Sequence, residues 1–207
     1  MPNQHQAPEH DSDEDATPAR KRPRPGERRL QILQTLAAML EQPGAERVTT
    51  AGLAAKIGVS EAALYRHFAS KAQMFEGLID FVDQSVMGLI RQVTDREPAG
   101  PQQAGRIVAL LLQFAEKNPG MSCVMNGEAL AFEHDRLQER INLLFDKIEA
   151  QLRQSLKTAE VPAANAEVQV TASVLVAFMQ GRLQRFARSG FKRLPSEHLQ
   201  AALGRML

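Results

Sequence analysis

Residues 48–71 read VTTAGLAAKIGVSEAALYRHFASK and describe two short helices joined by a sharp turn. Thr49 and Thr50 carry hydroxyls that can cap the orphan amides at a helix start, and Leu53, Ala54 and Ile57 then fall on one face. Gly58 supplies the left-handed conformation with which a chain leaves a helix, and Val59 can fill the angle that follows. Ser60 opens a second helix, expected over about residues 61–68. Ala62 and Ala63 add little bulk near its front, so that end can enter a DNA major groove. The pattern predicts a helix-turn-helix, although on spacing alone an alanine-rich helical hairpin also serves simple packing.

Around that front the polar residues divide by reach. Thr49, Thr50, Tyr65, His67 and Lys71 are expected at phosphate oxygens, where they position the protein, and Ser60, Ala62, Ala63 and Arg66 are expected toward or beside base edges. Glu61 has two readings: it can accept from a cytosine amino group, or its charge can simply favour the helix N-terminus.

The threonine pair, LAAKIGVS and LYRHFASK, standing near the N-terminus ahead of a long helical chain, closely resemble the DNA-binding region of the TetR family of bacterial regulators. The resemblance implies an all-α protein: a three-helix head over residues 27–71, and a helical body over residues 72–207 that serves partner binding and dimerisation. About nine helices are expected in all. It also implies a two-fold dimer whose last helices form the subunit interface, with two recognition helices about one DNA turn apart. The target is then a palindrome in double-stranded DNA.

Charge agrees with such a division. Residues 1–19 hold five acids and no Lys or Arg, residues 20–71 hold ten Lys or Arg against four acids, and residues 72–207 hold fifteen of each. A basic region beside a neutral remainder suits a DNA-contacting head on a protein-contacting body. The acidic stretch has almost no apolar content and is expected to be disordered. Arg20, Lys21, Arg22 and Arg24 form a basic arm, read either as a backbone or minor-groove contact or as a solvated tail. The longest apolar runs, residues 107–112 and 174–179, are six residues each, far short of the ~20 of a membrane span. No membrane insertion and no signal segment are expected, and the reading is a cytoplasmic, nucleoid-associated protein. Cys123 is the one cysteine, read as a packed, inert thiol.

Periodicity supplies the remaining helices. The first spans about residues 27–41 with a buried stripe of Leu30, Leu33, Leu36, Ala37 and Leu40. A connecting helix, capped by Ser70 and Gln73, runs to about residue 94 with Met74, Leu78, Phe81, Val82 and Leu89 inward. The next covers about residues 102–117 with Ile107, Leu110, Leu111 and Phe114 on one side, and a short helix follows over 121–127. An unbroken pattern over about 129–158 steps through Leu137, Ile141, Leu144, Ile148, Leu152 and Leu156. A broad stripe of Val168, Ala172, Leu175, Phe178, Met179, Leu183 and Phe186 marks a helix over about 165–188. Ser196 is expected to cap a final segment, 197–206.

From residue 27 onward the chain also resembles a cell-division branch of that family, the nucleoid occlusion factors, in EAALYRHFASK, in the helix ending KNPG, and in ALAFEHDRLQERINLLFDKIEAQLRQ. The resemblance implies a protein that, bound to chromosomal palindromes, antagonises the tubulin-like division protein FtsZ, with more than one dimer per DNA site a possibility it leaves open. The C-terminal tail of FtsZ is expected in a groove between the connecting helix and the next, at Phe81, Leu110, Lys117 and Asn118. Lys117 stands where arginine is expected, which keeps charge and loses the bidentate fork. For Phe81 and Leu110, core packing is the competing reading.

The alternative function is a ligand-responsive repressor with Met121, Met125, Phe132, Phe145 and Phe178 around a pocket, although Met and aromatic residues at helical spacing commonly form plain core. Catalysis is not expected. Glu133, His134 and Asp135 would point to different faces of a helix and so could not share a metal, and no nucleophile motif or phosphate-binding loop occurs. No cofactor is implied.

Overall fold

The computed structural model describes residues 26–42, 48–131, 133–157 and 165–207. The acidic stretch, the basic arm and Phe132 lie outside them. Among the described residues the elements are α1 (Glu27–Leu40), α2 (Thr50–Ile57), α3 (Glu61–Tyr65), α4 (Lys71–Thr94), α5 (Pro101–Lys117), α6 (Pro119–Met125), a 3-10 turn (Glu128–Leu130), α7 (Asp135–Leu156), α8 (Asn165–Arg188) and α9 (Leu199–Met206). All are helical, and none is long and apolar enough to cross a membrane.

The caps read from the sequence form the head's joints. Thr49 Oγ1 accepts from Gly52 N at 3.1 Å, and Gly58 leaves α2 at φ 78°. Ser60 Oγ accepts from Ala63 N at 3.3 Å. At α4 the cap is reciprocal, since Ser70 Oγ accepts from Gln73 N while Gln73 Oε1 accepts from Ala69 N. Two expectations change. Helix α3 stops at Tyr65 instead of near Phe68, because Leu64 O accepts from both His67 N and Phe68 N and tightens the chain into a turn. In α1 the buried residues are Ile32, Leu36, Ala37 and Leu40, while Leu30 is 48% exposed and Leu33 half-buried. The stripe is rotated toward α6 and α4, which both pack on α1.

Arg29 pins the end of the α3 turn. Its guanidinium lies 4.0 Å from the Phe68 ring centroid and Nη1 donates to His67 O at 2.8 Å. Phe68 is fully buried, and burial of such a ring stabilises by about 1.5–3 kcal/mol.

Direction in the body follows from its contacts. Lys71 pairs with Glu133, Glu76 with Arg136, Asp80 with Arg140 and Asp83 with Lys147, so α4 and α7 run parallel, joined by a ladder of ion pairs. The more exposed of these pairs contribute about 0.2–1 kcal/mol each and set register more than stability. The apolar residues beneath, including Met74, Phe75, Leu78, Val82, Leu137, Ile141 and Leu144, form one core continuous with that of the head. Gly100 N donates to Ser155 O at 2.7 Å, which places the α4–α5 turn beside the end of α7, away from the head. Gln169 bonds Glu149 and Arg153, so α8 starts at that far end and returns toward the head.

Three further expectations are corrected. The pattern over 129–158 is interrupted: α7 begins at Asp135, with His134 Nδ1 accepting from Arg136 N as its cap, after the 3-10 turn. Glu133, His134 and Asp135 therefore straddle a helix start, with Glu133 paired to Lys71, and no metal-binding group of three such side chains occurs among the described residues. Ser196 does not cap α9. Its hydroxyl donates to Glu116 Oε2, and α9 starts after His198, which takes φ 53°. Phe81 leaves the expected buried face of α4 at 41% exposed, Leu89 is half-buried against the core, and Ile79, Val86 and Ile90 are buried besides.

Candidate nucleic-acid interface

The outer face of the helix-turn-helix presents Thr49, Ser60, Ala62, Tyr65, Arg66 and His67 exposed, with Ala63 half-buried over the Leu64 anchor. Hydroxyl chemistry separates the expected contacts. Thr49 and Ser60 use an oxygen lone pair in their caps and keep the proton for a phosphate or base acceptor. Thr50 differs: its single proton is donated to Glu61 Oε2 at 2.6 Å. A phosphate contact by Thr50 therefore competes with Glu61, whose carboxylate ties the start of α2 to the start of α3. In this arrangement Glu61 is held at the helix N-terminus by a partner in the protein.

Lys71 is likewise engaged. Its ammonium pairs with Glu133 and lies 5.7 Å from the Phe75 ring centroid, with a quarter of the side chain exposed. The expected phosphate contact thus begins from a lysine bound to a carboxylate of the body. Arg29, which no local motif singled out, supports the whole edge by holding the His67 carbonyl and covering Phe68. An Arg in the first helix facing an aromatic after the recognition helix is the only signal that could have suggested it.

Beside the head lies an apolar groove. Leu30, Leu33, Ala37 and Glu41 of α1, with Leu78 and Phe81 of α4, line a cavity of about 260 Å³ that Asn118 and Met121 complete. Phe81 and Asn118 are brought together here. Leu110 and Lys117 stand outside the cavity lining, on a stripe of α5 where Leu110 and Phe114 are half-buried and Lys117 is exposed. The groove is formed with α1 because the rotated stripe of that helix leaves Leu30 and Leu33 beside Phe81. Asn118 also joins α5 to α6, its Nδ2 donating to Phe114 O at 2.7 Å.

Of the residues proposed around a small-molecule pocket, Met121, Met125 and Phe145 are core side chains and Phe178 is half-buried beneath Arg182. Cys123 is held in the joint between α1 and α6, its Sγ 3.6 Å from Leu40 O. Burial first, then the nearby Glu128 and Glu41 carboxylates, push its thiol up to about 12.

Comparison with known proteins agrees with this architecture. Residues 32–78 match the family described as bacterial regulatory proteins of the tetR family, and residues 102–205 match the tetracyclin repressor-like C-terminal domain. The nucleoid occlusion factor SlmA of Shewanella woodyi is 48% identical over 176 residues, covering 84% of this chain and 89% of its own. That of Vibrio vulnificus is 49% identical over 177 residues, covering 84% and 90%. Among solved structures, a TetR regulator from Legionella pneumophila superimposes with TM-score 0.70 at 16% identity, over 86% of this chain and 95% of that one. The Bacillus subtilis regulator FadR gives TM-score 0.64 at 12% identity, over 86% and 96%. At those identities the structures establish the shared fold. With nearly half of its residues shared along most of both chains, this chain belongs to the SlmA family of TetR-type DNA-binding regulators.

Proposed function

We propose that this protein is a nucleoid occlusion factor: a homodimer that binds palindromes on the chromosome and, while bound, opposes FtsZ polymers so that division does not proceed over the nucleoid. Residues 27–71 read DNA, residues 72–207 bind the second subunit, and the partner lies where the two regions meet, in the groove between α1 and α4. The name carried by relatives at 48–49% identity supports the process. An exposed apolar row on α8, Val170 and Val174 continuing through Ala177 and Gly181, supports a subunit contact along that helix.

The single observation that carries the partner half is Phe81. Phe81, 41% exposed on the helix that leaves the DNA head, and Leu30, 48% exposed on α1, line the same apolar groove, and a contiguous apolar patch of this kind suits a docking surface. A short, partly apolar acidic peptide that orders on binding fits such a groove, with Lys117 on the adjoining face of α5 supplying charge. Helix α4 starts at the recognition turn and borders the groove, so DNA can act through its position or by concentrating dimers for a multivalent FtsZ polymer.

Sedimentation of FtsZ polymers with this protein and a genomically selected palindrome tests the reading, against scrambled DNA and against the Phe81→Ala variant. Loss of polymer that needs both the palindrome and Phe81 is expected. Sequence-specific DNA binding with polymer unaffected would transfer the reading to a ligand-controlled repressor. Enlarging Ala63 should alter which sequence is preferred, and an unchanged preference would refute the docking geometry.

A further inference from the structure

Residues 182–193 read RLQRFARSGFKR, five cations without an acid. Arg182 is occupied, its Nη1 donating to Glu197 O at 2.9 Å above the Phe178 ring. Arg185, Arg188, Lys192 and Arg193 are exposed, and among the described residues none of their side chains makes an ion pair or hydrogen bond. Three of them, with Leu194, Ser196 and Glu197, line a concavity of about 520 Å³.

The fold aims this cluster. Helix α8 starts beside the far end of α7 and returns toward the head. The loop after it is tied by Ser196 to Glu116, in the last turn of α5, and α5 passes directly into α6. Helix α6 packs on α1, through Gly120 against Ala37 and Cys123 against Leu40. The four cations therefore stand at the end of the body that carries the DNA-reading head. On α8 they also continue the exposed row Val170, Val174, Ala177, Gly181 into Arg185 and Arg188. In a two-fold dimer joined along that row and presenting both heads to one duplex, the two α8 helices end on the same side, so like charges from both subunits face the DNA near the dyad. Such a cluster repels itself and is stabilised by a polyanion.

We propose that Arg185, Arg188, Lys192 and Arg193 form a second phosphate-contacting surface, which grips the DNA backbone between the two recognition helices without reading sequence. The inference rests on the dimeric, palindrome-binding reading above. Macrodipole complementarity explains cations at the α8 C-terminus, yet Lys192 and Arg193 follow the helix and need another reason.

The test is DNA affinity of the full chain as a function of salt, for a selected palindrome and a scrambled duplex, with Arg185, Arg188, Lys192 and Arg193 all changed to Gln. Removing one cation from a phosphate flattens the slope of log K against log salt by about 0.9. A flattening of at least about 2 per dimer is expected, with similar loss for both duplexes. An all-Lys variant (R185K/R188K/R193K) should retain the native slope, and K157Q/R205Q, which removes cations at the opposite end, should leave it unchanged. Dimer mass and thermal midpoint are measured alongside, and K192Q/R193Q, outside the helix, serves if the fourfold variant fails to fold. An unchanged slope with an intact dimer overturns the proposal. So does an effect that vanishes once residues 2–19 are deleted, because the occupant is then the chain's own acidic segment. If the native chain shows no preference for the palindrome, it is the functional reading that fails.

Discussion

Gly120→Ala tests the joint between head and body, because two physical effects predict opposite signs for it. Helix propensity alone favours alanine by up to about 1 kcal/mol. A Cβ built at Gly120, however, falls 2.1 Å from the Ala37 carbonyl oxygen and 2.8 Å from its carbonyl carbon. Ordinary van der Waals contact begins near 3.4 Å, so α6 and α1 must separate by more than 1 Å. The obstacle is backbone and cannot rotate away. Overpacking of this kind costs about 1–3 kcal/mol, occasionally more. A clash this close with backbone belongs in the upper part of that range, so after the propensity gain a net destabilisation of roughly 1–2 kcal/mol is expected, lowering the melting midpoint by about 2–4 °C per kcal/mol for a chain of this size. Gly88→Ala is the matched control. It lies inside α4 with nothing within 4 Å of an added Cβ, so propensity acts alone and the midpoint should rise by a few degrees. Thermal unfolding of the two variants, with palindrome affinity measured alongside, reads both signs. A Gly120→Ala midpoint at or above that of the native chain would refute the claim that α1 and α6 meet backbone to Cα there.

Removing either end of the Lys71–Glu133 pair should move DNA binding in opposite directions. Lys71→Ala takes a cation away from the phosphates and flattens the salt dependence, while Glu133→Gln frees the lysine and should tighten binding by about 1.5- to 5-fold at moderate salt. Weaker binding in both variants would mean that the pair only positions α4. Arg29→Ala should lower affinity for all duplexes by loosening the His67 carbonyl and the Phe68 cover, and it should also reduce hydrogen-exchange protection of the turn after α3. Cys123 should react with alkylating agents roughly a thousandfold more slowly in the native than in the unfolded chain near pH 8, since its thiol is raised from 9.0 to about 12. Its contribution to stability is fully present below pH 9 and lost as pH rises from 9 to 12, because the unfolded chain gives up that proton first. Equal alkylation rates in the two states would place Cys123 at an open surface.

Features decided within a few residues of one another were legible in the sequence. Thr49, Ser60 and Ser70 cap the helices expected of them, and Gly58 leaves α2 in the left-handed region, because each satisfies or redirects backbone groups no more than four positions away. Helical periods along the chain located the core stripes of α7 and α8 for the same reason, whereas on α5 Ile107 and Leu111 are buried but Leu110 and Phe114 only half-buried. What periodicity could not decide is which flank of a stripe a neighbour covers. Leu30 and Phe81 fit their stripes as well as Leu36 and Leu78 do, yet they stay exposed because α6, α5 and α7 cover the other side. Partners far apart in sequence were also invisible. Lys71 meets Glu133 across 62 positions and Arg29 meets His67 across 38, and no local pattern encodes either encounter. The sequence by itself determined the helices, their caps and the DNA-reading turn, all short-range hydrogen-bond and steric matters. Only the tertiary structure decided which side chains remain free for a partner, since exposure and charge pairing depend on where the directions of α1, α4, α7 and α8 bring distant residues together.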